Sequence, residues 1–97
     1  MKIFLDTANT DTIQSCFETG LIDGVTTNPT LIRKNGEDSE TVYEKIKEIG
    51  INDISMEVMG DANEMYREGL RLSDKFGPVT TIKVPCNRSG LLACKEL

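Results

Sequence analysis

The chain has 97 residues, 38% of them hydrophobic, which is enough for one domain or part of one, and its 16 acidic against 11 basic residues leave a formal net charge of −5. That balance, with no basic run, argues against a nucleic-acid backbone as partner, and no apolar stretch is long enough to span a bilayer. Histidine is absent, which excludes imidazole catalysis and histidine-ligated zinc.

Cys16, Cys86 and Cys94 are odd in number and lack a metal or redox spacing, so reduced thiols in a cytoplasm are the expectation. The run Met1 to Asp6 is too short for a signal peptide. No glycine-rich phosphate loop occurs, and no metal site or cofactor is expected.

Taken in chain order, Lys2 to Asp6 reads as a strand with a carboxylate at its end, followed by Thr7-Ala-Asn-Thr10, a turn with good helix N-cap residues. Ile13, Cys16, Phe17 and Leu21 fit one helical stripe. A second strand, near Gly24 to Thr27, ends in polar residues and in Pro29, which can start a helix. Lys34 to Ser39 is the clearest loop. Val42, Ile46 and Ile49 form the next stripe, and Asp53 to Val58 the third strand.

Asp61 with Glu64 has the form of a capping box at the head of the strongest helical stripe, Ala62, Met65, Tyr66, Gly69, Leu70, Ser73 and Phe76. Gly20, Gly50 and Gly77 stand near the helix ends. The fourth strand runs near Val79 to Val84, stopped by Pro85, and a last helix starts at Ser89. Strand and helix alternating at this spacing predict an α/β fold of parallel (βα) units, with polar chemistry gathered at the carboxyl ends of the strands.

Side chains alternate across a strand, so one sheet face is expected to carry Phe4 and Asp6, Gly24, Thr26 and Asn28, Ser55 and Glu57, and Thr81 and Lys83. The other carries Ile3, Leu5, Val25, Ile54, Met56, Val58, Ile82 and Val84, the face for helices to cover. Lys83 is the least expected residue of this set, an ammonium inside an otherwise apolar strand. Burial disfavours its charge and turns the amine into a nucleophile toward carbonyl carbon. Read alone, it fits better a sheet-edge lysine or one that snorkels to solvent past the strand end. Alone, too, Asp6 fits a helix cap, Asn28-Pro29 a turn and Glu57 a solvent-facing sheet end.

The segments Phe4-Leu-Asp-Thr7, Gly24-Val-Thr-Thr-Asn-Pro29 and Ile82-Lys-Val-Pro85, with Glu57-Val-Met59 in support, resemble the small transaldolase and fructose-6-phosphate aldolase family in order and spacing across essentially the whole chain. The resemblance implies a class I enzyme on a TIM barrel. Lys83 would form an imine with the C2 carbonyl of a phosphorylated ketose, of the fructose 6-phosphate or sedoheptulose 7-phosphate class, and Asp6 would take the proton from the C4 hydroxyl. Asn28 would hold substrate hydroxyls, Thr26 would line the pocket, and Glu57 would help hold a catalytic water. Glutamate rather than glutamine at position 57 favours transaldolase, which transfers a dihydroxyacetone unit, over the aldolase activity that releases it.

A whole barrel needs eight such units and typically about 250 residues. Residues 1–97 supply four, so the expectation is a single (βα)4 segment, a truncated half-barrel. Two halves pairing into a homo-oligomer would close the sheet, though no sequence feature speaks for it. A half-barrel alone leaves the amine without its wall, so a catalytically silent fragment or interaction module is the alternative to an active enzyme.

Overall fold

The computed structural model describes residues 1–97. Its elements alternate: β1 (Phe4–Asp6), α1 (Thr10–Phe17), β2 (Gly24–Thr26), α2 (Pro29–Lys34), α3 (Ser39–Ile49), β3 (Ile54–Glu57), α4 (Ala62–Phe76), a single 3-10 turn (Gly77–Val79), β4 (Thr80–Lys83) and α5 (Arg88–Glu96). The strands form one parallel sheet in the order β1-β2-β3-β4, as consecutive βα units require.

Helix starts follow from short polar side chains that accept otherwise unpaired amides. Asn9 accepts from Thr12 N at 3.0 Å, Asp38 from Thr41 N at 3.2 Å and Asn87 from Gly90 N at 2.8 Å. The capping box forms as expected, with Asp61 accepting from Glu64 N at 2.8 Å and Glu64 from Asp61 N at 3.3 Å. Asp6 is therefore not the cap of α1, because Asn9 holds that place.

Gly50 ends α3 at φ 113°, a conformation that a side chain strains. Gly90 answers a different demand: a Cβ there would overlap the Pro85 carbonyl, so the first turn of α5 rests directly on backbone.

The helices cover one face of the sheet. Val25, Ile54 and Met56 are fully buried there, with Ile13, Ile32, Ile46, Met65 and Phe76 packed over them, and Leu5, Ile82 and Val84 at the margin of the cluster. Fully burying a side chain of this size stabilises by about 1.5–3 kcal/mol. The ring of Tyr43 meets that of Phe76 edge-on, at 5.6 Å between centroids and 88° between planes. Burial pushes the Tyr43 hydroxyl above its ordinary pKa, keeping it neutral in the core.

On the surface Arg71 bridges Glu68 at 2.6 Å and Glu40 at 2.9 Å, and Lys75 adds a second bond to Glu40 at 2.7 Å, tying α3 to α4. The hydrogen bonds from Arg71 hold both carboxyls below the usual range.

Several expectations shift. Leu21 lies beyond α1 and is 65% exposed, since α1 ends at Phe17. In α4 the buried track is Met65, Gly69, Leu72 and Phe76, which leaves Leu70 and Ser73 exposed on the far side. The strands are shorter than their apolar runs: β1 begins at Phe4, and Val79 belongs to the turn before β4. The last helix starts at Arg88, one residue before Ser89, because Asn87 caps it.

Candidate functional site

Parallel pairing puts the polar residues in levels along the uncovered face. Asp6 pairs with Thr26, Thr26 with Ser55, and Ser55 with Thr81, giving one row across all four strands. Two residues further toward the carboxyl ends, Glu57 pairs with Lys83, and Asn28 follows Thr26 by the same step. Every residue expected at the site lies on this face.

Two groups form within it. Asn28, Glu57 and Lys83 line one cavity of about 400 Å³, together with Pro29, Thr30, Leu31, Arg33 and Met59. Glu57 and Lys83 are neighbours in the β3–β4 ladder and make no ion pair, so both charges face the cavity uncommitted. Lys83 is half-buried at the end of β4, and its carbonyl accepts from Val58 N at 3.0 Å, which holds the two strand ends together.

Asp6 and Thr26 make the second group. The Thr26 hydroxyl donates to Asp6 Oδ1 at 2.9 Å, with the Leu5 carbonyl oxygen farther off at 3.4 Å. That bond fixes the carboxylate's orientation while leaving Asp6 exposed. Neither residue lines the Lys83 cavity. Strands β1 and β4 are three spacings apart, about 14 Å of sheet, a gap that the long Lys83 side chain and a bound ligand would have to bridge together.

Below these groups, Thr81 donates to Asp53 Oδ1 at 2.6 Å, and the Phe4 ring lies over Gly24. No three His, Cys, Asp or Glu side chains are grouped to hold a metal ion. No helix is long and apolar enough to cross a membrane.

Asn28 serves two purposes. Its Oδ1 accepts from Leu31 N at 2.9 Å and so caps α2, whose first residue is Pro29. The cap sets α2 across the end of β2 and brings Arg33, one turn beyond Pro29, to the same cavity. Sequence reading did not place Arg33 at the site, because a six-residue helix is too short to show a period. The only available signal was Pro29 itself.

Comparison with known proteins gives the family. The family described as Transaldolase/Fructose-6-phosphate aldolase matches residues 3–97. A protein named probable transaldolase from Nitrosopumilus maritimus is 44% identical over 98 residues, covering 100% of this chain and 44% of the relative. Probable transaldolases from Lactiplantibacillus plantarum and Clostridium perfringens are 43% and 46% identical, each with 100% of this chain and 45% of its own length covered. The chain thus spans a little under half the length of the curated relatives it matches, as four of the eight units of a (βα)8 barrel would. The chain belongs to the transaldolase/fructose-6-phosphate aldolase family.

Proposed function

We propose that the chain carries the imine-forming half of a transaldolase-type site. The observation that supports this most is the meeting of Lys83, Glu57 and Asn28 in one cavity at the carboxyl ends of three adjacent parallel strands, where barrels of this kind place their chemistry.

The Lys83 amine attacks C2 of a phosphorylated ketose and water leaves, giving an imine. Once protonated, the imine draws the electrons of the C3–C4 bond toward nitrogen as Asp6 takes the proton of the C4 hydroxyl, and an aldose departs. The enamine left on Lys83 holds the dihydroxyacetone unit. Attack of that enamine on an acceptor aldehyde forms the new C–C bond and an imine of the product ketose, which water hydrolyses from Lys83; protonation and hydrolysis of the enamine itself would release dihydroxyacetone, the aldolase outcome. Glu57, beside Lys83 in the ladder, is suited to hold the water that enters and leaves at C2. Thr26 orients the Asp6 carboxylate through its hydrogen bond, and Asn28 holds substrate hydroxyls.

One feature favours a second reading. The face that bears Asp6 and Thr81 is open to solvent, so water competes for every contact and the amine lacks a desolvating wall. On this reading residues 1–97 alone are silent until a second half, from another copy or a longer chain, closes over them.

Trapping separates the two readings. The chain is incubated with fructose 6-phosphate, reduced with borohydride and digested, and mass spectrometry locates the adduct. An adduct on Lys83, lost in Lys83→Met, supports the imine reading; its absence at high substrate favours the silent half.

A further inference from the structure

Charge around the Lys83 cavity departs from that of the chain. The whole chain carries −5, yet the cavity lining holds two cations, Arg33 and Lys83, against one anion, Glu57. The hollow by the start of α1, about 260 Å³, is lined instead by two carboxylates, Asp11 and Glu37, the second paired with Lys45 at 2.7 Å. An anionic ligand is therefore favoured at the Lys83 cavity over this hollow.

Arg33 itself is free to bind. Arg71, by contrast, is bonded to both Glu40 and Glu68, whereas the Arg33 guanidinium makes no ion pair and no side-chain hydrogen bond in the chain. Its helix is anchored at the other end by the Asn28 cap, so the backbone that carries Arg33 is tied to the strand end beside Lys83. A planar, permanently charged fork matches the oxygens of a phosphate in pairs.

We propose that Arg33 is an anion contact of this cavity, selecting phosphorylated ketoses over neutral ones at Lys83. This rests on the imine reading above only for the identity of the ligand. Arg33 takes no part in bond making; it fixes which substrates linger long enough for the amine to react.

Two measurements on the 97-residue chain test it. The first needs no chemistry at Lys83: inorganic phosphate is titrated while the arginine side-chain N–H and backbone amide resonances are followed by NMR. The Arg33 Nε–H and the amide of Met59 should shift saturably while the Arg71 Nε–H stays still, and Arg33→Gln should abolish the Met59 shift. The second is borohydride trapping on Lys83 with fructose 6-phosphate and with fructose. Arg33→Gln should lower the ratio of phosphorylated to neutral adduct about tenfold, the weight of one charge-assisted hydrogen bond, and Arg33→Lys should restore part of it. A phosphate titration that leaves Met59 and Arg33 unmoved, or a substitution that lowers both adducts equally, overturns the proposal. Phosphate shifts without an adduct from either sugar would keep the anion contact and sink the imine reading instead.

Discussion

The two faces of the sheet are made of the same four strands and behave as different materials. The covered face is Val25, Ile54 and Met56, fully buried under helices. The uncovered face alternates with it residue by residue and carries Asp6, Thr26, Glu57 and Lys83, none of them fully buried. On the function proposed above, stability belongs to the first and chemistry to the second, so substitutions on the two faces should separate cleanly in what they disturb.

The sharpest break is expected at Phe76, which is fully buried against Tyr43. Phe76→Ala should remove about 3–5 kcal/mol in urea denaturation, most of the stability of a domain this small. A loss under about 1 kcal/mol would mean that the helix layer is not a packed core.

On the opposite face, Asp6→Asn should move the thermal midpoint little and slow aldose release by about 10²–10⁴-fold, the usual weight of a general base. Rapid-quench measurement of the aldose formed from Lys83-bound ketose reads this step. An unchanged rate would place the proton acceptor elsewhere.

Gly24 tests the seam between the faces. A Cβ at this position meets the Phe4 ring and sits 2.8 Å from the Asp53 carbonyl oxygen. Gly24→Ala should therefore destabilise by about 1–3 kcal/mol. Adding Phe4→Ala should recover only part of that in the same denaturation series, because the backbone oxygen cannot move away with the ring.

The smallest effect is the pH dependence of the outer surface. The hydrogen bonds from Arg71 lower the pKa of Glu40 and Glu68 from 4.5, so the folded chain holds these carboxylates ionised more firmly than the unfolded one. The stabilisation is present above pH 4.5 and is lost as the pH falls through the lower folded values. The exposed bridges are worth about 0.2–1 kcal/mol. Glu40→Gln should flatten the acid limb of a stability–pH curve by that amount, and an unaltered limb would mean the bridge is idle in solution.

The division between faces was legible because it needs only alternation: β-branched runs that end in polar residues announce strands, and parity sorts their side chains. Lys83, Glu57 and Asn28 came together as that parity implies. What stayed hidden depends on registers and angles that no single stretch encodes. The Thr26–Asp6 hydrogen bond needs the β1–β2 pairing. Arg33 needs the direction α2 takes after Pro29. Leu70 and Ser73 were placed with the core because α4 offers two apolar tracks at helical spacing, and only the packed sheet decides between them.

The cap on α2 has a chemical corollary. With one lone pair of its carbonyl oxygen taken by the Leu31 amide, Asn28 meets the cavity chiefly through its NH₂, as a donor. It reads lone pairs, and a ligand atom seated there must supply them. Aspartate at the same place would still hold the helix but would meet those lone pairs with a negative charge: a single-residue change from attraction to rejection that leaves the fold standing.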